Sequence, residues 1–218
     1  MNTVDNKISK DNNPSHWNKI YQESNDASLG WYEQRPEPSI ELFRKVDLSK
    51  DDKILIVGAG KSTFVDWLVE EGFTDIIAND ISPESSQKLD GRIKEKGGKI
   101  YSLVDDLCAP KNLLKLKDIK LWHDRAVLHF LIEEKDQQTY FDLINNLISP
   151  GGYVIIAEFS KEGINACSGL PVVKYSVEMI TKGLGKDFYL IDSFNYMHKS
   201  PVGASRPYIY TLFRRHSG

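Results

Sequence analysis

The sequence predicts an α/β fold: a doubly wound, mostly parallel, seven-stranded sheet with an antiparallel terminal strand. Three observations carry this prediction. Short apolar runs alternate five times with segments of helical spacing, the pattern of a parallel sheet covered on both faces. The first run passes through a glycine turn, Gly58-Ala59-Gly60, into a helix, the unit that brings backbone close to a nucleotide. Two long extended segments, 187–196 and 207–214, close the chain as antiparallel neighbours.

The elements follow in order. The polar residues 1–13 are expected to be mobile. Residues 16–21 read as a short helix capped by Ser15. Segment 29–36 is rich in aromatics and turn formers, among them Trp31 and Tyr32, and reads either as a lid on the core or as an aromatic wall over a ligand. A helix over 40–46 follows, with proline and acids in its first turn, where they fit. The first strand, 54–57, is followed by a helix that Ser62 and Thr63 open. The second strand, 75–79, ends at Asp80, and its helix runs from Pro83 to about residue 96. The third, 99–104, ends in Asp105-Asp106-Leu107. The fourth, 119–123, leads into Asp124-Arg125, and a helix from about 136 to 147 closes at Ser149-Pro150-Gly151-Gly152. The fifth is 153–159, followed by a loop over 161–170 and a short helix from 171 to about 182. The expected organisation is a tail, short helix and lid over 1–35 and one domain over 36–218, without repeats or linkers.

Composition narrows the function. The 218 residues carry 40% hydrophobic and 27% charged side chains and a net charge of −3, so no basic field points to a nucleic-acid partner. No apolar run approaches the roughly 20 residues of a membrane span. Cys108 and Cys167 form neither a disulfide framework nor a zinc pattern, so no metal is expected. Together with a start lacking an apolar signal-peptide core, this reads as a reducing, cytoplasmic setting.

Ligands on such sheets bind beyond the carboxyl ends of the strands. Gly58 to Gly60, Asp80, Asp105-Asp106 and His123 to Arg125 are therefore expected to line one crevice. Asp80 follows Gly58 by 22 positions, which suits a carboxylate accepting from two ribose hydroxyls; the alternative is a capping acid, although Ser82 is the better cap. Asp106 is placed to accept from an adenine amino group, with Asp105 competing for the role and Leu103 and Leu107 offering apolar contacts. The third position of a dinucleotide fingerprint is Thr63, not glycine, and a phosphate loop would need glycine where Leu55 stands. An adenosine carrying an amino-acid tail fits better than a nucleotide with phosphates.

These residues resemble the class I S-adenosylmethionine-dependent methyltransferases. The likeness covers about residues 15–214 and is carried by Ile-Leu-Ile-Val-Gly-Ala-Gly-Lys-Ser, Asn-Asp-Ile-Ser, Val-Asp-Asp-Leu, Ser-Pro-Gly-Gly-Tyr-Val-Ile-Ile-Ala and the terminal strand pair. Trp-His-Asp-Arg-Ala-Val, Cys-Ser-Gly-Leu-Pro-Val and Trp-Tyr-Glu-Gln-Arg-Pro are similar to a bacterial subgroup of uncertain substrate. The resemblance implies the Rossmann-like methyltransferase fold with S-adenosylmethionine as cofactor. It implies Gly58, Ala59 and Gly60 at the methionine tail and ribose, Asp80 with Ile81 at the ribose, Asp106 with Leu107 at the adenine, and Trp122 and His123 near the sulfonium. Two positions depart from the pattern. Ile56 stands where many members carry an acid for the methionine amino group, and Ser62 replaces a third glycine. A second acid, with help from the amino-terminal segment, is the expected substitute.

Methyl transfer from a sulfonium releases a neutral group, so the protein mainly aligns the reactants and excludes water. A base matters only where the acceptor must lose a proton. His123, His129 and His198 are candidates; His129 reads as a satisfied helix histidine and His198 also as a turn residue. Arg125 would bind an acidic acceptor or pair with an acid such as Asp124, and Cys167 is a substrate contact or an inert buried thiol. Asp124-Arg125-Ala126-Val127 replaces the Asn/Asp-Pro-Pro-Tyr/Phe motif of adenine and amide methylation. With Trp31, Tyr32 and His198 facing the acceptor, a small molecule is the expected partner, and a protein lysine the alternative. Two further alternatives are a non-catalytic S-adenosylmethionine-binding protein and a nicotinamide-dependent reductase, which the terminal strand pair disfavours.

Overall fold

The computed structural model describes residues 13–25 and 28–218, so the expectation for the polar first residues lies, through residue 12, outside them. Its central sheet has seven strands: β1 (Ile54–Val57), β2 (Ile76–Asp80), β3 (Tyr101–Val104), β4 (Ile119–Arg125), β5 (Ile148–Phe159), β8 (Phe188–Lys199) and β9 (Ser205–Arg215). They lie in the order β3-β2-β1-β4-β5-β9-β8. The pairs from β3 to β5 are parallel, and β9 runs antiparallel to both β5 and β8. The sequence order of the first five strands and the strand pair at one edge follow the prediction.

Helices α2 (Glu37–Phe43), α3 (Thr63–Glu70) and α4 (Pro83–Glu95) contribute to one layer of core, and α5 (Glu134–Leu147) and α6 (Val177–Leu184) to the other. Side-chain alternation divides the strands between the layers. Ile54, Ile56 and Leu121 face the first; Leu55, Val57 and Trp122 face the second. Helix α1 (Pro14–Glu23) packs on α4, where Asn18 Oδ1 accepts from the Ser82 hydroxyl at 2.6 Å and Lys88 Nζ donates to the Tyr21 carbonyl at 2.8 Å.

Several boundaries differ from expectation for local reasons. The cap of α1 is Asn13, whose Oδ1 accepts from His16 N at 3.1 Å, because Pro14 takes the first helical turn. Helix α2 starts three residues earlier than expected, at Glu37. Strand β4 continues through Asp124 and Arg125, and β5 already begins at Ile148. The loop after β5 contains a small hairpin, β6 (Ala166–Cys167) with β7 (Leu170–Pro171). Ser168 and Gly169, both with positive φ, form its two-residue turn, and the helix starts only at Val177. Ser62 caps α3 through Phe64 N, and Ser82 caps α4 through Ser85 N. The serine at the third-glycine position thus has a structural use. Among the described residues, no helix is long and apolar enough to cross a membrane.

Candidate active site

A cavity of about 380 Å³ opens at the carboxyl ends of the parallel strands, a size within the usual range for small-molecule sites. Its lining runs from Asp105, Asp106 and Leu107 after β3, past Asp80 and Ile81, to Gly58 and Arg125, and ends on Cys167, Leu170 and Pro171 of the hairpin. Trp17 and Tyr21 of α1, Trp31 and Phe130 also line it. Trp17 meets Phe130 edge-on at 4.9 Å and Trp31 at 6.0 Å, so the amino-terminal segment is packed against the domain.

The turn after β1 has the geometry its glycines allow. Gly58 has φ of 54°, and a Cβ there would lie 2.1 Å from Val127 Cγ2; Gly60 has φ of 47°, and its Cβ would lie 2.3 Å from the Tyr21 hydroxyl oxygen. Gly60 N donates to Asp80 Oδ2 and Ser82 N to Asp80 Oδ1, both at 2.8 Å. The carboxylate lines the cavity. Burial raises the Asp80 pKa, a shift the same N–H groups oppose.

The two acids after β3 separate. Asp105 Oδ2 accepts from the backbone N–H groups of Lys111, Asn112 and Leu113 at 2.7–2.9 Å, which ties down the following loop. Asp106 Oδ1 accepts from Cys108 N at 2.8 Å, and Asp106 lines the cavity beside Leu107. Leu103 is buried in the α5-side core instead.

A second, smaller hollow of about 50 Å³ lies beneath the glycine turn, lined by Gly58, Ala59 and Gly60 and by Trp31, Tyr32, Glu33, Ser39, His123 and Arg125. Ile56 also reaches it but belongs to the core. Glu33, with 8% side-chain exposure, pairs with Arg125 Nη2 at 3.0 Å and lies 3.7 Å from His198 Nδ1. Burial raises the Glu33 pKa, and Arg125 opposes the rise. Glu33 is an acid of the amino-terminal segment beside the glycine turn, a residue the sequence analysis did not name.

Three expected roles need correction, and for Arg125 the ion-pair alternative is the one seen. Trp122 is fully buried, donates from Nε1 to the Tyr140 hydroxyl at 3.2 Å, and faces the α5 layer away from the cavity. His123 stacks on Phe64 at 4.3 Å and its Nε2 lies 2.9 Å from Ser39 Oγ. Burial, with Arg125 nearby, lowers its pKa to about 3, so it is a neutral wall residue of the small hollow rather than a base in the main cavity. His198 Nε2 donates to the Gly30 carbonyl at 3.1 Å and is buried beneath the lid segment instead of facing an acceptor. Arg125 does line the cavity, but it is committed: Nε donates to the Tyr210 hydroxyl at 2.9 Å and Nη1 to the Trp31 carbonyl at 2.7 Å. It clamps the lid to the sheet. Trp31 is both core-packed and cavity-lining, and Tyr32 sits on the small hollow.

Three features escaped sequence reasoning. Tyr21 covers the glycine turn, and its i, i+4 spacing from Trp17 was the available signal. Ala126, with φ of 70°, turns the chain sharply after β4. The turn that follows is fixed by buried acids: Val127 N and Leu128 N donate to Asp124, and Leu128 N and His129 N donate to Glu158, at 3.0–3.2 Å.

Comparison with known proteins agrees with this architecture. No family model matches the chain. The mouse EEF1A lysine methyltransferase 2 is 26% identical over 188 residues, covering 74% of this chain and 75% of that protein. A structure of an S-adenosylmethionine-dependent methyltransferase from Anabaena variabilis superposes with a TM-score of 0.73 at 15% identity, over 93% of each chain. The cyclase SpnF superposes with a TM-score of 0.67 at 13% identity, over 94% of this chain and 92% of that one. The chain has the class I S-adenosylmethionine-dependent methyltransferase fold. One neighbour named a cyclase is a reminder that this fold alone does not fix a reaction.

Proposed function

We propose that the protein is an S-adenosylmethionine-dependent methyltransferase acting on a small-molecule acceptor. The observation that carries the reading is the convergence of Gly58, Asp80 and Asp106 on one cavity at consecutive strand ends, with Ala59 and Gly60 on the adjoining small hollow. The residues suit the cofactor: Asp80 with Ile81 would hold the ribose, Asp106 with Leu107 the adenine, and Gly58 to Gly60 the methionine tail. Glu33 would supply the negative charge for the tail ammonium that Ile56 does not. The bound cofactor supplies an electrophilic methyl group on a sulfonium. The chain's own part is to orient both reactants and keep water out, for which Trp17, Trp31 and Phe130 form an apolar cover.

That cover, packed against the domain, supports an enclosed metabolite over a macromolecular acceptor. A protein lysine is the second reading, favoured by the likeness to a lysine methyltransferase. A reducing, cytoplasmic setting is part of the proposal and rests on two free thiols, Cys108 and Cys167. The test is incubation of the purified protein with S-adenosylmethionine and, separately, a metabolite panel and a protein lysate. Release of S-adenosylhomocysteine with the metabolites supports the first reading, and release only with the lysate the second. Binding without turnover on either would point to a non-catalytic role.

A further inference from the structure

At the hairpin end of the cavity, three side chains from three elements meet. Glu158 comes from the end of β5, His129 from the 3₁₀ turn after β4, and Cys167 from the hairpin. His129 Nδ1 lies 2.5 Å from Glu158 Oε2, and the His129 backbone N–H donates to the same oxygen. The ring stacks on Phe159 at 4.4 Å, within 14° of parallel, so its orientation is fixed. Burial raises the Glu158 pKa to about 8, a rise the turn's backbone N–H groups oppose; in its carboxylate form Glu158 holds the ring proton on Nδ1 and leaves the lone pair on Nε2. His129 is fully buried, yet neither ring nitrogen makes a regular hydrogen bond; Nδ1 has the Glu158 contact, and Nε2 has no such ion pair. Both His129 and Cys167 line the cavity.

The charges around the thiol favour its ionised form. Arg206 Nη1 donates to Cys167 Sγ at 3.3 Å, and Ser168 Oγ lies 3.8 Å away. Burial alone would raise the Cys167 pKa, but the imidazole beside it and Arg206 outweigh that, and the net shift is downward. Tyr208 also faces the thiol, and Asp124 and Arg125 act on His129 with opposite sign. Cys108 provides the contrast: burial, with Asp106 and Asp136 nearby, raises its pKa to about 12.

We propose that Cys167, His129 and Glu158 form a reactive thiol site in the cavity, which takes a soft carbon electrophile of the α,β-unsaturated carbonyl class by conjugate addition. Nε2 takes the thiol proton and Sγ bonds to the β-carbon. The π pair of the carbon–carbon double bond shifts to the α-carbon, which receives that proton back from Nε2. Glu158 is the positioning residue that aims the imidazole. The step has no leaving group and needs no oxidant. It is independent of the methyl-transfer reading.

The test uses the full chain and N-ethylmaleimide, with peptide mass spectrometry to follow each cysteine. Cys167 is expected to react before Cys108, with a rate that rises less than about tenfold between pH 6 and 8, where an ordinary thiol gains about a hundredfold. Folded His129→Gln and Glu158→Gln variants are expected to slow Cys167 about tenfold or more at pH 6.5; Cys167→Ser removes the adduct. An unmodified Cys167 in the folded protein, or a rate that rises tenfold or more over that range, overturns the proposal. So does an unchanged rate in a folded His129→Gln variant; if neither variant folds, the wild-type pH profile decides. Because the readout is thiol labelling, these outcomes are separate from failure to bind or use S-adenosylmethionine.

Discussion

Replacing Asp80 by Asn probes cofactor recognition more cleanly than replacing it by Ala. The carboxylate accepts from both Gly60 N and Ser82 N and is only 5% exposed. Alanine would orphan both donors, and each orphaned buried group costs about 1–3 kcal/mol. Asparagine keeps one acceptor, so one donor faces an amide NH₂, and the expected loss is about 1–3 kcal/mol of stability, or a melting temperature lower by roughly 2–10 °C. It also removes one charge-assisted bond to a ribose hydroxyl, about 1.5–3 kcal/mol, so affinity should fall about 10- to 100-fold. The assay is calorimetric titration with S-adenosylhomocysteine beside a thermal melt. A 2′-deoxyribose analogue adds a coupling test: removing the hydroxyl should weaken wild type markedly and the variant little. A folded Asp80→Asn protein with wild-type affinity would refute the reasoning and move the ribose elsewhere.

Other predictions separate the remaining roles. Trp122→Phe should cost about 1–3 kcal/mol through a lost hydrogen bond to Tyr140 and lost packing, while leaving S-adenosylhomocysteine affinity within about twofold, as melts and titration would show. Glu33→Gln leaves Arg125 buried without its counter-charge, so about 3–5 kcal/mol of stability should be lost in denaturant titration. In the same variant, affinity for S-adenosylhomocysteine should fall about tenfold and that for adenosine hold, because only the former carries the ammonium. His123 has a folded pKa of about 3 against an ordinary 6.5. The unfolded chain therefore binds the extra proton, and the stability His123 confers above pH 6.5 should fall by about 1.4 kcal/mol per pH unit from there down to pH 3. Folded His123→Phe should lose that part of the acid slope in denaturant titrations taken across the same range.

The sheet was legible because each parallel strand is a short apolar run, and because the glycine turn and the closing strand pair punctuate the chain. The residues at or just beyond the ends of strands one to three, Gly58, Asp80 and Asp106, were legible for the same reason: their position depends on topology alone. Strand four was harder. It runs two residues further than its apolar stretch: Asp124 and Arg125 stay paired with β5, and their side chains meet Tyr140 and Tyr210 from elsewhere in the chain. Alternation then sends Trp122 to one face and His123 to the other, and only Arg125 at the strand's end reaches the cavity. His129 looked like an ordinary helix histidine because its partner Glu158 lies 29 positions away (158 − 129) and Cys167 lies in a hairpin read as a loop. The Ser168-Gly169 pair was the local signal for that hairpin.

The most direct test of the central claim is a crystal structure with S-adenosylhomocysteine. The account predicts the ribose hydroxyls on Asp80, the adenine beside Asp106 and Leu107, and the amino group of the tail toward Glu33. A ligand bound elsewhere, or bound here with its ribose turned away from Asp80, would contradict it.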